Sequence, residues 1–236
     1  MNHQIRISAK NLGAVAMADF CPRCFWIKLH CKDLPFQIFP GIFSTIDSYS
    51  KNIIHAYFDK HNSMPEWLNG LGKIKGYIDP PHHSKFQLYD DKSGILLTGM
   101  PDGVFVKADG SYMIVDYKTA KYTGTQDELF PIYEIQLNCY ALIGEEYGFS
   151  PVKELVLIYM EPVTDVTAVT DDVNHRQLGM VMPFATSIHK VKLNTAAIAP
   201  LLAKVRKLYD MPLAPSGRNG CKDCKKLKGL MGLFVR

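Results

Sequence analysis

Two pairs of cysteines, one near each end of the sequence, restrict the fold of this chain more than any other feature. Cys21 and Cys24 form the first Cys-x-x-Cys pair, and Cys221 and Cys224 form the second. This spacing is typical of cysteines that bind one metal ion together. A shared four-thiolate site would staple the two ends of the sequence together. The alternative is that the four cysteines are unrelated and that some are buried as small apolar residues.

Composition limits the kind of protein this can be. The chain has 236 residues, of which 47% are hydrophobic, so one domain with a sizeable core is expected. Its net charge of +4 is compatible with a nucleic-acid partner but does not demonstrate one. No run approaches the roughly 18 apolar residues of a membrane span, and the first residues lack a signal-peptide core. We therefore expect a cytoplasmic protein with no membrane partner and no disulfides.

A strand hairpin over residues 98–119 places charged residues at the end of a strand. Its first strand is entered through a Pro-Asp-Gly sequence that contains Asp102, and its second strand ends with Asp116 and Lys118. The last two are two positions apart, so their side chains are predicted to share one face of the strand. The alternative is an ordinary turn followed by a solvated surface pair.

These charges suit a divalent cation and a phosphodiester. Mg²⁺ prefers oxygen ligands, which the carboxylates of Asp102 and Asp116 and the backbone carbonyl of Tyr117 would supply. A metal ion bound there could lower the pKa of a water molecule and stabilise charge on the attacked phosphate. Lys118 could hold that water or the phosphate as a compact cation.

The hairpin also resembles a known family signature. Pro101 and Asp102, followed by Asp116 and Lys118, resemble the motif of the PD-(D/E)XK nucleases, with aspartate in the second acidic position. The resemblance implies a restriction-endonuclease-like core and a metal-dependent nuclease activity with Mg²⁺ or Mn²⁺.

A second motif resembles one branch of that superfamily. Gln136 and Tyr140 are similar to the Gln-x-x-x-Tyr motif of the RecB-like branch, which includes the CRISPR-associated RecB-like exonucleases and the AddAB nuclease domains. Residues four apart lie on one face of a helix. The resemblance implies that this pair contacts the DNA backbone or holds the metal-site loop. The alternative is a core tyrosine beside an exposed glutamine.

The same resemblance bears on the cysteines. Nucleases of the CRISPR-associated and AddB types carry a cysteine-ligated cluster that pins the C-terminal tail to the N-terminal helix, usually with one N-terminal and three C-terminal cysteines. The two-plus-two pattern here departs from that arrangement and leaves the type of metal open. Four thiolates suit an iron–sulfur cluster or Zn²⁺, and we favour [4Fe–4S]. Cys31 is an alternative ligand, whereas Cys139 is expected in the core.

A helix over about residues 44–61 is predicted to add a further metal ligand. RecB-like nucleases usually place a metal-contacting histidine on the helix that follows a glycine such as Gly41. The position that matches best here is Asp47, and His55 lies two turns further along. An aspartate close to a helix start is also favourable with the helix dipole alone.

The order of the predicted elements indicates an α/β fold with a central mixed sheet flanked by helices. We expect a single nuclease domain over residues 1–236, with a cysteine-stapled lobe formed by 7–31 and 212–236, and a connector over 62–94. Further predicted elements are helices over 127–147 and within 194–211 and a buried strand over 154–160.

The predicted function is a metal-dependent DNA nuclease. Exonuclease action is favoured, a single-strand preference is compatible with the sequence, and CRISPR adaptation or recombination proteins are the partners that the resemblance implies. One alternative is a catalytically silent nuclease-like DNA-binding or adaptor subunit. Another is a zinc-ribbon nucleic-acid binder, which would leave the hairpin charges and the Gln-x-x-x-Tyr motif as coincidences.

Overall fold

The chain folds around a five-stranded mixed sheet that has helices on both faces. The computed structural model describes residues 4–31, 40–124 and 128–234. The strands are β1 (Ile5–Ser8), β2 (Ile74–Ile78), β3 (Gln87–Asp90), β4 (Ile95–Thr98), β5 (Gly103–Lys107), β6 (Tyr112–Lys118), β7 (Val152–Pro162), β8 (His175–Arg176), β9 (Gly179–Met180) and β10 (Phe184–Val191). The α-helices are α1 (Ala9–Gly13), α2 (Pro22–His30), α3 (Ile42–His61), α4 (Phe130–Tyr147), α5 (Val166–Thr170), α6 (Ile198–Tyr209) and α7 (Lys222–Phe234).

The main sheet has the strand order β10, β7, β6, β5, β2. β6 and β7 run parallel, and the other neighbouring strands run antiparallel. This arrangement confirms the predicted central mixed sheet. β5 and β6 form the predicted hairpin, whose turn is closed by the Asp109 side chain as it accepts the backbone N–H of Ser111 at 3.0 Å.

The alternation of side chains along β6 divides the core into two layers. Ile114 belongs to a buried cluster that includes the inner face of α4. Val115 belongs to a second cluster that includes Ile54 of α3. Because alternate residues of a strand face opposite sides of a sheet, Asp116 and Lys118 share the α4 side with Ile114. The two helices therefore cover opposite faces of the sheet at the strand that carries the predicted acidic residue.

A second sheet of three strands, in the order β1, β4, β3, joins the N-terminal segment to the strand that precedes Asp102. The expectation of a connector over 62–94 is wrong, because that segment contains β2, β3 and a 3₁₀ helix over Glu66–Leu71. β2 lies at the edge of the main sheet and carries an irregularity between Ile74 and Gly76. Edge strands tolerate bulges and glycine, so the glycine-rich sequence was compatible with a strand.

The predicted helices are largely present. α3 begins at Ile42, slightly before its predicted start, and α4 ends at Tyr147, where the following Gly148 caps the helix with a left-handed φ of 106°. Residue 127, the predicted first residue of the latter helix, lies outside the described residues. α7 was not predicted, because its sequence is rich in lysine and most of its side chains are exposed. No helix in the described ranges has both the length and the apolar character to cross a bilayer.

Candidate active site and cysteine centre

Asp116 lies at the centre of the candidate active site, buried near the end of β6 beneath α4. Its side chain is 3% exposed. The side-chain amide of Gln136 donates a hydrogen bond to Asp116 Oδ1 at 3.2 Å, and the Lys118 ammonium contacts Asp116 Oδ2. The amide and the ammonium therefore compensate the buried carboxylate from two sides, as a buried charge requires.

Asp102 is held against the same strand by its neighbours on β6. The backbone N–H of Tyr117 donates to Asp102 Oδ2 at 2.8 Å, and the backbone N–H of Asp102 donates to the carbonyl of Val115 at 3.1 Å. Burial, with a further contribution from the negative charge of Asp116, raises the pKa of Asp102 to about 6. The site thus contains a carboxyl group whose raised pKa would fall again if a divalent cation were bound beside it.

α3 adds a lysine that the sequence analysis did not identify. Lys51 Nζ lies 3.0 Å from Asp47 Oδ2 and 2.9 Å from Asp102 Oδ1. Burial alone would lower the pKa of Lys51, but the carboxylates of Asp102 and Asp47 raise it overall. Burial and the charge of Asp102 also raise the pKa of Asp47. The signal that could have identified Lys51 is its position one helical turn after Asp47, on the same helix face.

Gln136 and Tyr140 are both buried and bonded to each other. Gln136 Nε2 donates to the Tyr140 hydroxyl oxygen at 2.7 Å. The alternative of an exposed glutamine is therefore wrong, since Gln136 is 6% exposed. A Cβ added to Gly99 would lie only 2.4 Å from the Tyr140 ring, so the close approach of the ring to the loop before Asp102 requires glycine. Gln136 therefore links α4 to Asp116 of β6, and Tyr140 links α4 to the loop before Asp102.

Tyr133 is a second residue that the sequence analysis missed. Lys118 Nζ lies 4.1 Å from the centroid of the Tyr133 ring, within the range of a cation–π interaction. The possible signal was its spacing of three residues from Gln136, which places both on one side of α4. The ring and the Asp116 carboxylate together restrict where the Lys118 ammonium can lie.

His55 lies away from the acidic cluster. Its ring stacks on Tyr77 of β2 with centroids 3.8 Å apart, and its Nδ1 lies 3.7 Å from Asp79 Oδ1. The Asp47 carboxylate, in contrast, forms an ion pair with Lys51, which also forms an ion pair with Asp102. Of the two residues considered on this helix, the structure brings Asp47 rather than His55 to the candidate active site.

The donor set fits a hard divalent cation. Each carboxylate of Asp102 and Asp116 keeps lone pairs beyond the contacts described, and carboxylate oxygens are ligands that Mg²⁺ and Mn²⁺ prefer. The Gln136 carbonyl oxygen is buried and has no hydrogen-bond partner within the described part of the chain. Such an orphaned acceptor suits a water molecule held beside a metal ion.

The four predicted cysteines come together in a separate centre. Cys21 Sγ lies 3.6 Å from Cys224 Sγ, and Cys24 Sγ lies 3.5 Å from Cys224 Sγ and 3.7 Å from Cys221 Sγ. All four sulfur atoms lie within 4.8 Å of one another. No other group of three or more His, Cys, Asp or Glu side chains among the described residues has its ligand atoms within that distance of one another. Soft thiolate ligands at this spacing fit Zn²⁺ or an iron–sulfur cluster.

The surroundings of the cysteines favour a thiolate at Cys21. Burial opposes ionisation there, but the backbone N–H groups of Cys24 and Arg218 lower the pKa of Cys21 to about 6. Burial raises the pKa of Cys24 and of Cys224, so these two thiols need a bound metal ion to ionise. A Cβ added to Gly217 would lie 2.7 Å from Cys224 Sγ, so the loop needs glycine to approach the sulfur atom. Cys31 is exposed and lies outside the four-cysteine group. It is therefore not the alternative ligand in this structure.

Two further contacts join the ends of the described chain beside the cysteines. Arg23 Nε donates to the carbonyl of Pro215 at 3.0 Å, and the indole N–H of Trp26 donates to the carbonyl of Met211 at 3.1 Å. Hydrogen bonds therefore join α2 to the segment before α7, in addition to the close approach of the four cysteine side chains.

Comparison with known proteins gives one family match. The family model described as the PD-(D/E)XK nuclease superfamily matches residues 56–226, which include Asp102, Asp116 and Lys118. No curated protein shows a significant sequence match to the chain. A solved structure titled "Crystal structure of SSO0001" is similar with a TM-score of 0.38 and 13% sequence identity, over 90% of this chain and 80% of that one. A likeness at that level carries no conclusion about this chain.

Proposed function

Because this chain belongs to the PD-(D/E)XK nuclease superfamily, we propose that it is a metal-dependent nuclease that hydrolyses phosphodiester bonds in DNA. The observation that supports this most directly is the buried Asp116, compensated by Gln136 and Lys118 and placed beside Asp102. A merely structural Asp102 would gain nothing from the neighbouring Asp116, because the negative charge of Asp116 raises the cost of ionising it.

The metal ligands in this proposal are the carboxylates of Asp102 and Asp116 and the backbone carbonyl of Tyr117, with Asp47 as a predicted additional ligand. Mg²⁺ or Mn²⁺ would supply a water molecule of lowered pKa and stabilise negative charge on the phosphate. Gln136 fixes the orientation of Asp116 and presents its unpaired carbonyl oxygen to that water.

Lys118 would position the nucleophilic water or the attacked phosphate. Its ammonium is held between Asp116 and the ring of Tyr133, which restricts its position in the site. Tyr140 would support the DNA backbone or the loop that carries Asp102, since its ring packs against Gly99 of that loop.

We extend the proposal to exonuclease action on DNA, with a preference for single strands as a compatible refinement. This extension rests on the resemblance of Gln136 and Tyr140 to the RecB-like motif. On the same ground we propose that the protein works with CRISPR adaptation or recombination proteins. A location in the cytoplasm is a further proposal, which rests on the expectation from the first residues of the sequence and from its apolar runs.

For the cysteine centre we propose a structural [4Fe–4S] cluster, with Zn²⁺ as the alternative. Four thiolate ligands leave no coordination position open for chemistry on a substrate. Protein purified without oxygen would be analysed for iron, sulfide and zinc. Iron and sulfide in equal amounts, with brown colour, would support the cluster, and one zinc per chain would establish the alternative.

Cleavage of end-labelled DNA tests the nuclease proposal. Single- and double-stranded substrates would be incubated with Mn²⁺, Mg²⁺ or EDTA, and the wild type compared with Asp116→Ala and Lys118→Ala. We expect metal-dependent cleavage that both variants abolish, and the product ladder distinguishes exonuclease from endonuclease action. A folded, DNA-bound wild type that cleaves nothing with any metal would favour the adaptor alternative instead.

A further inference from the structure

Lys51 occupies an unusual position for a helix lysine, because its ammonium is shared by two carboxylates from different parts of the chain. It lies 3.0 Å from Asp47 Oδ2 on its own helix and 2.9 Å from Asp102 Oδ1 at the start of the hairpin. Its side chain is 22% exposed, so the contacts are partly shielded from water. A second divalent cation in an acidic site would also bridge two carboxylate oxygens. The Lys51 ammonium makes this bridge between Asp47 and Asp102.

The net charge of the site also favours a single divalent cation beside Lys51. Lys51 pairs with Asp47 and Asp102, and Lys118 pairs with Asp116, so the three carboxylates and two ammonium groups of the site leave one net negative charge when all are ionised. One divalent cation would make the site singly positive, and one phosphodiester would neutralise it. A second divalent cation would place an excess of positive charge beside the partly shielded ammonium of Lys51, where repulsion is less screened than in bulk water.

We propose, on the premise of the nuclease function above, that Lys51 takes the place of a second divalent cation, so that this site binds one metal ion per chain. In this inference Asp47 is a positioning residue for Lys51, which replaces the role of additional metal ligand considered for it above. The arrangement also explains why α3 carries a lysine one turn after this aspartate, since Lys51 makes the contact to Asp102 and Asp47 holds the ammonium in place.

Counting bound Mn²⁺ tests this directly, without reference to activity. Free Mn²⁺ would be followed by electron paramagnetic resonance as it is titrated into the wild type, Lys51→Ala, Lys51→Arg and the double variant Asp47→Asn/Lys51→Ala. Mn²⁺ is a hard ion that prefers oxygen ligands, so the cysteine centre does not contribute. We expect one bound ion in the wild type and in Lys51→Arg, two in Lys51→Ala, and one again in the double variant, which lacks the second carboxylate charge.

The outcomes separate this inference from the nuclease proposal. Two bound ions in the wild type, or one in a folded Lys51→Ala protein, would overturn the role of Lys51 and leave the nuclease proposal standing. No Mn²⁺ bound by the wild type would overturn both. Circular dichroism would show whether each variant is folded. If Lys51→Ala does not fold, the wild-type count decides: one ion supports the inference and two refute it.

Discussion

The side-chain amide of Gln136 reaches across from α4 to Asp116 of β6, with 3.2 Å between Gln136 Nε2 and Asp116 Oδ1. The same nitrogen lies 2.7 Å from the hydroxyl oxygen of Tyr140. One amide therefore fixes the orientation of a buried carboxylate and ties it to a buried ring. The two motifs that the sequence places far apart are one hydrogen-bonded unit in the structure.

Gln136→Leu should lower DNA cleavage by about ten- to a hundredfold while leaving the protein folded. A hydrogen bond to a charged group contributes roughly 1.5–3 kcal/mol, and each 1.4 kcal/mol is a factor of about ten in rate. The measurement is the single-turnover cleavage rate with saturating Mn²⁺. Glu146→Gln, an exposed position on the same helix, is the matched control and should cleave like the wild type. An unchanged rate in Gln136→Leu would show that this amide does not orient Asp116 for the reaction.

Gly99→Ala should destabilise the fold by about 1–3 kcal/mol, since the added methyl group would lie 2.4 Å from the Tyr140 ring and force the ring or the loop to move. Urea unfolding measures the loss. Gly76→Ala is the control, because an added Cβ there meets nothing within 4 Å. Equal stabilities of the two variants would mean that the Tyr140 ring can leave its place at no cost.

Local patterns were enough to predict the hairpin and the shared face of Asp116 and Lys118. Both follow from the alternation of residues along one strand and from a short turn, which depend on neighbouring residues only. The meeting of the cysteine pairs was also predictable, because their spacing is typical of metal ligands. The type of the metal was not, since the structure shows four sulfur atoms and the ligand type suits two kinds of centre.

The contributions of Lys51 and Tyr133 could not be predicted in the same way. Each depends on how a helix is placed against the end of the sheet, which local sequence does not encode. The strands over 62–94 were missed because Gly76 lies within β2 and the surrounding prolines are typical of a connector, although a glycine is compatible with a strand at an irregularity. Lys51 illustrates the limit, since its spacing from Asp47 on one helix is visible in the sequence but its contact with Asp102 is not.

The raised pKa of Asp102 predicts a pH dependence of stability in protein free of Mg²⁺ and Mn²⁺. The pKa of this carboxyl is about 6 in the folded protein and about 3.9 in an unfolded chain. Between those values the folded state binds more protons, so the free energy of unfolding falls as the pH rises from about 4 to 6. Relative to Asp102→Asn, the wild type should lose at most about 3 kcal/mol over this range.

Chemical unfolding at a series of pH values measures this difference. Asp91→Asn, at an exposed aspartate, is the control and should follow the wild type. A wild-type advantage that grew as the pH rose from 4 to 6 would mean that Asp102 is stabilised as a carboxylate by its neighbours, and that burial is not the dominant influence on it.

Cys224→Ser should remove the metal from the cysteine centre and destabilise the chain while sparing the chemistry at Asp116. Cys224 lies within 3.6 Å of both Cys21 and Cys24, so its loss removes one of the connections between the two ends. A structural metal contributes binding energy to folding, and a loss of about 3 kcal/mol would lower the Tm by roughly 6–12 °C. Metal analysis and thermal unfolding are the measurements, with Cys31→Ser as the matched control because Cys31 lies outside the four-cysteine group.

The hydrogen bonds of Arg23 and Trp26 to the C-terminal segment do not involve the sulfur atoms, so part of the junction should survive in Cys224→Ser. Below the new Tm, the folded variant should therefore cleave DNA at close to the wild-type rate. Loss of cleavage at a temperature where circular dichroism shows a folded protein would contradict a purely structural centre. It would instead connect the cysteine centre to DNA binding or to the placement of α4, whose Ile132 backbone lies against Gly13 at the end of α1.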